Sequence, residues 1–215
     1  MRYKIGYIDE DPNQVMTFTY ALKDYDIDIT GYNIEQGTSL EDILSQAYSS
    51  DIDLLMIDYF LTDKGKLTFN GDKIERKFSE LKPGFPHIVF TSRESDAFDA
   101  VDDPKIIYEK EMATNPEKIN KFAEILKKII ENYRKYIKVR KDKIVLLLEK
   151  GENIGLDAKE KNELITLQNE LLALDKTKYD EVPKQLLFED KLEDLSKTKR
   201  DAEAFLQTLI EQSKK

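Results

Sequence analysis

One run constrains the fold more than any other feature: Ile52, followed after Asp53 by the unbroken Leu54-Leu-Met-Ile57, closing on Asp58. It is too short for a helix and has no polar face to give to solvent. It therefore predicts a strand buried on both sides, which is the habit of a parallel sheet covered by helices. Tyr3–Ile8 predicts a second strand and ends in Asp9, Glu10 and Asp11. Two apolar strands that each end in acid gather like charges at one edge of a sheet. That costs free energy unless a cation sits among them.

Strand-like and helix-like periods alternate through the first ~130 residues. After Pro12, which suits a first helical turn, Val15, Phe18, Leu22 and Tyr25 recur at helical spacing. Ile27–Ile34 predicts a second strand in chain order. Thr38-Ser-Leu-Glu41 has the pattern of a capping box, ahead of a helix faced by Leu40, Ile43, Leu44 and Ala47. Residues 61–71 form a long polar loop, and Ile74, Phe78 and Leu81 mark a helix that stops before Pro83-Gly84. His87–Phe90 and Ile106–Tyr108 predict two more strands, with a short helix over Ser95–Val101 between them. Asn115-Pro116 starts a further helix. The expected fold is α/β: a five-stranded parallel sheet, doubly wound, with its functional crevice at the carboxyl ends of the strands. That rule collects Asp9, Glu10, Asp58, Thr91 and Lys110.

The remainder predicts helices. Leu126, Ile130, Tyr133, Ile137, Arg140, Ile144 and Leu147 follow a heptad stripe broken at Arg140, so the helix from Asn115 is expected to continue to about residue 149. Gly151 and Gly155 bracket a turn. Leu164, Leu167, Leu171 and Leu174 make a second stripe, and Phe188, Leu192, Leu195, Lys199, Ala202, Leu206 and Leu209 a third. None of these can bury its stripe alone, so a helical bundle or a coiled-coil homodimer is expected. The division is 1–132 for the sheet domain and 133–215 for a helical output or dimerisation region.

Charge supports that division. The net charge is −9, and all of it lies in residues 1–132, with 16 Lys and Arg against 26 Asp and Glu. This argues against nucleic acid as a partner. Six of the ten residues 134–143 are basic, a run that suits contact with nucleic acid or an acidic partner and, more commonly, a solvated helix face. The absence of Cys excludes disulfides and thiol chemistry. Met-Arg-Tyr-Lys-Ile-Gly leads straight into a strand without a signal-like apolar stretch, and no window reaches membrane-spanning length, so a cytoplasmic location is expected.

Ile8-Asp9-Glu10-Asp11-Pro12, Met56-Ile57-Asp58, Phe90-Thr91-Ser92 and Glu109-Lys110 stand at strand ends in the order and spacing of a known family. Residues 1–132 resemble the receiver domain of two-component response regulators, of CheY-like fold. The resemblance implies that Asp58 is a phospho-acceptor. It implies that Asp9, Glu10, Asp58 and the backbone carbonyl of Phe60 hold Mg²⁺ or Mn²⁺, that Thr91 engages the phosphoryl group, and that Lys110 pairs with acceptor and phosphate. A histidine kinase or phosphotransfer protein is the implied donor, and a protein target of the helical region the implied output. No enzyme activity beyond autophosphatase action is implied. His87 is the sole histidine and lies at the edge of a strand, so the helices cannot themselves be a phosphotransfer domain.

The chain departs from the family at three places. Glu111 stands where receivers have Pro, Ile107 stands where an aromatic is usual with Tyr108 one place later, and the loop after Asp58 is about five residues longer. These admit an alternative, a pseudo-receiver serving as a constitutive interaction scaffold. An Asp-based phosphatase is disfavoured because Phe60 stands where a second acid is needed.

Overall fold

The computed structural model describes residues 2–174. Strands β1 (Tyr3–Ile8), β2 (Ile27–Gly31), β3 (Leu54–Asp58), β4 (His87–Thr91) and β5 (Ile107–Glu109) form one parallel sheet in the order β2-β1-β3-β4-β5. Between them run α1 (Pro12–Lys23), α2 (Leu40–Ser49), α3 (Gly71–Leu81) and the short α4 (Glu94–Phe98). After β5 come a single turn α5 (Glu111–Thr114), the long α6 (Ile119–Asn153) and α7 (Ala158–Ala173). This is the doubly wound, CheY-like order of strands.

Period-two alternation distributes β3 between two cores. Leu54 and Met56 pack with Phe18 and Leu22 of α1 and with Phe122, Leu126 and Ile130 of α6. Leu55 and Ile57 pack with Ile43, Leu44 and Ala47 of α2 and with Ile74 and Phe78 of α3. All five β3 residues are buried, as a strand sandwiched by helices requires.

Several boundaries differ from the sequence expectation. β2 stops at Gly31 rather than Ile34, although Ile34 is still buried in the second core. The capping box is one residue later than Thr38: Ser39 caps α2, accepting from the Asp42 amide, while the Asp42 carboxylate returns a bond to the Ser39 amide. Both frames carry a hydroxyl followed three residues on by an acid, so local pattern alone does not choose. β5 begins at Ile107 because Pro104–Ile106 forms a 3₁₀ turn capped by Asp103. Asn115 ends α5, and α6 starts only at Ile119. Gly151 lies within α6. Gly155 alone makes the turn, at φ +90, with its amide bonded to the Lys150 carbonyl at 3.1 Å.

α6 changes partners along its length. Its first half covers the sheet through Phe122, Ala123, Leu126 and Ile130. Arg134 then reaches Asp53 at 2.6 Å, and Tyr133 packs edge-on against Phe85. Beyond them α6 pairs with α7, where Ile144, Leu147 and Leu164 are the buried residues. Arg140, the break in the stripe, bonds Glu170 at 2.7 Å and stacks over Tyr136. The third stripe, from Phe188 to Leu209, lies outside the described residues. No helix among the described residues is long and apolar enough to cross a membrane.

Candidate functional site

Strand register brings the chemistry to one edge. Ile8 lies opposite Ile57, Asp58 opposite Phe90, and Thr91 opposite Glu109. Asp9, Asp58 and Lys110 thus emerge side by side where the strands end. Asp9, Glu10 and Asp58 are all at least 95% buried.

The Lys110 ammonium sits between two acids. Its Nζ lies 3.0 Å from Asp9 Oδ2 and 3.0 Å from Asp58 Oδ2. The Lys110 amide bonds the Thr91 carbonyl at 2.8 Å, which fixes where its side chain departs. The other Asp58 oxygen accepts from the Phe60 amide at 3.4 Å. Burial pushes the Asp58 carboxyl up to about 7, with the Lys110 charge opposing and the Asp9 charge reinforcing that rise.

Asp9 is held on three sides. Its Oδ1 accepts from the Asp11 amide at 2.8 Å, and its Oδ2 accepts from the Tyr7 hydroxyl at 2.5 Å as well as from Lys110. Tyr7 is fully buried, edge-on to Phe18 and Phe90. Its hydroxyl meets Asp9 because residues two apart on a strand share a face. Burial first, then the nearby carboxylates, raise the Tyr7 hydroxyl far above the ordinary phenol range, so it stays a donor. Sequence reasoning missed Tyr7, since a Tyr within an apolar strand looks like core. The available signal was its two-residue offset from Asp9.

Glu10 is engaged by the long loop after β3. The Lys64 amide donates to Glu10 Oε1, the Lys66 ammonium donates to the Glu10 carbonyl at 2.8 Å, and the Lys64 ammonium lies 3.5 Å from Asp11. Leu61 and Leu67 anchor this loop in the second core. It is therefore a strap across the acidic edge rather than a solvated insertion. Gly71 closes the strap. A Cβ there would stand 2.2 Å from the Asp58 carbonyl oxygen, so only glycine lets α3 start so close to the end of β3.

The remaining expected residues are placed differently. Thr91 is fully buried, but its hydroxyl serves its own turn, accepting from the Arg93 amide at 3.1 Å and donating to the Arg93 carbonyl at 3.2 Å. The Phe60 ring lies under the Arg93 guanidinium, 4.1 Å from its centroid. Glu111 turns away from Lys110 and bonds Asn115 and Lys118, which lowers its carboxyl below the usual range. Ile107 packs with Val89 and Val101, whereas Tyr108 packs from the other face against Phe122.

The donor set suits a hard divalent cation. Three buried carboxylates lie at one edge, and Glu10 Oε2 is buried with no hydrogen-bond partner among the described residues. As placed, no three acidic or histidine side chains among the described residues gather closely enough to hold an ion between them. Lys110 takes the position between Asp9 and Asp58.

No protein-family model matches the chain, and no curated protein matches it. Solved structures do. A response regulator from Thermotoga maritima is 17% identical over 61% of this chain and 99% of its own, with a TM-score of 0.43. A CheY-like receiver domain protein from Methanospirillum hungatei JF-1 is 18% identical over 63% and 99%, with a TM-score of 0.46. The BeF3-activated receiver domain of DrrB is 20% identical over 61% and 99%, with a TM-score of 0.42.

Proposed function

We propose that this chain is a response regulator that accepts a phosphoryl group on Asp58 and passes the signal on through protein contacts of its helical region. One observation carries the proposal: the Lys110 ammonium bridges Asp58 and Asp9 within a buried, acid-lined edge. A carboxylate attacks an anionic phosphorus donor poorly because the charges repel. Fixed positive charge at the site opposes that repulsion and stabilises the charge that builds up in transfer.

In the proposed reaction an Asp58 carboxylate oxygen forms a bond to phosphorus as the bond from phosphorus to the donor's leaving atom breaks. The donor class is a phosphohistidine of a kinase or phosphotransfer protein, or a small acyl phosphate. Lys110 follows the developing charge on Asp58 and the incoming oxygens. Asp9, Glu10, Asp58 and the Phe60 carbonyl are the groups that would hold Mg²⁺ or Mn²⁺, which supplies charge neutralisation when bound. Thr91 is one residue past the β4–β3 pairing and would join the site by exchanging its bonds to Arg93 for one to a phosphoryl oxygen. On the output side, Val139, Val145, Leu146 and Ile165 expose apolar surface on α6 and α7, which suits a protein target or a second copy.

The alternative, a scaffold without phosphoryl chemistry, draws on the Lys64 amide at Glu10 and the double engagement of Asp9 by Tyr7 and Lys110. Incubation with acetyl phosphate and Mg²⁺, followed by phosphate-affinity electrophoresis, separates the two. The acceptor function predicts a slowed band for wild type, abolished by EDTA and absent from Asp58→Asn. A wild-type band that never shifts with any small phosphoryl donor would favour the scaffold.

A further inference from the structure

A carboxylate oxygen presents two lone pairs. At Asp9 Oδ2 both are committed, one to the Tyr7 hydroxyl at 2.5 Å and one to the Lys110 ammonium at 3.0 Å, while Oδ1 holds the Asp11 amide. Tyr7 cannot easily move to another partner. It is fully buried, and its ring is clamped edge-on between Phe18 at 5.6 Å and Phe90 at 6.1 Å.

We propose that Tyr7 is a positioning residue of the site, whose hydroxyl holds Asp9 in the Lys110-bridged arrangement and thereby sets how readily the acidic edge admits a divalent cation. This rests on the proposed role of Asp9 and Glu10 as cation ligands. Glu10 already offers an unpartnered buried oxygen. Asp9 can offer it Oδ2, the oxygen turned toward Lys110 and Asp58, only by giving up one of the two donors there. Breaking a buried hydrogen bond to a charged group opposes cation entry by about tenfold or more in affinity. Removing the hydroxyl while keeping the ring abolishes that opposition and leaves the packing of Phe18 and Phe90 in place. The chain therefore carries, in the core beneath its site, a resistance to cation binding that an apolar residue at position 7 would not impose.

The test is calorimetric titration of Mg²⁺ alone into full-length wild type, Tyr7→Phe and Glu10→Gln, with urea denaturation of each. The expected result is measurable binding by wild type, loss of binding in Glu10→Gln, and about tenfold tighter binding in Tyr7→Phe. If Tyr7→Phe lowers the urea midpoint but binds Mg²⁺ with unchanged or weaker affinity, Tyr7 is only a core residue and the inference falls, while wild-type binding leaves the acceptor function standing. If neither wild type nor Tyr7→Phe binds Mg²⁺, the inference falls together with the cation role of Asp9 and Glu10. Binding by Tyr7→Phe alone would show the hydroxyl to be the barrier itself.

Discussion

At the scale of single residues, Asp58 combines a stability cost with its proposed reactivity. Its carboxyl is raised to about 7 in the folded chain by burial, whereas in the unfolded chain it titrates near the ordinary 3.8. The native state therefore binds the proton more tightly. Its contribution to stability is greatest below about pH 4 and is lost as pH rises through about 7. Asp58→Asn removes the ionisable group, so without metal it is expected to stabilise the protein at pH 8 by roughly 2–4 kcal/mol and to change little at pH 4. Urea denaturation at the two pH values checks this; equal effects at both would contradict it. The same proton competes with a cation, so Mg²⁺ affinity is expected to rise about tenfold from pH 6 to pH 8 in wild type. Asp9, Asp58 and Lys110 were legible as residues because each follows a buried strand, and parallel strands deliver their ends to one edge. Tyr7 was not. Its hydroxyl counts only once strand parity is combined with the depth of the site.

At the scale of elements, α6 does two jobs with one helix. Leu126 is enclosed by the sheet and by α1, while Leu147 is buried in the later part of α6, the helix that pairs with α7. Leu126→Ala is thus expected to cost about 3 kcal/mol of global stability, and Leu147→Ala about half that or less. Hydrogen exchange would register the second as local opening of α6 and α7, with the sheet still protected. Equal, global losses from both would show that the hairpin and sheet melt as one unit. Strands and helices were legible from their two periods, and α6 from its heptads. The strap over Glu10 was not, because Leu61 and Leu67 stand among polar residues and their burial depends on a core built by α2 and α3. The shift of the cap from Thr38 to Ser39 has the same character: two overlapping local patterns, with the packing of Ile43 and Leu44 selecting one.

At the scale of the whole molecule, an acidic sheet domain presents buried Asp58, the proposed phospho-acceptor, at one end of the strands and anchors α6 at the other. The anchor is Arg134 on Asp53 and Tyr133 on Phe85, at the loops that enter β3 and β4. β3 and β4 therefore link the two ends directly: Asp58 closes one and Thr91 the other, and both begin beside α6. A phosphoryl group on Asp58 carries ~1.5–2 negative charges in place of the carboxylate's one, and projects them farther from the strand. The proposed output is a change in how that load biases β4 and the helix docked behind it. The proposed signal starts from phosphorylation at one position, Asp58. The most direct test is to treat the full chain with acetyl phosphate and Mg²⁺, trap the product with borohydride, which reduces an aspartyl phosphate to homoserine, and sequence the peptides by mass spectrometry. Homoserine is expected at position 58 and at no other acid. Unmodified Asp58, or homoserine elsewhere with position 58 intact, would contradict it.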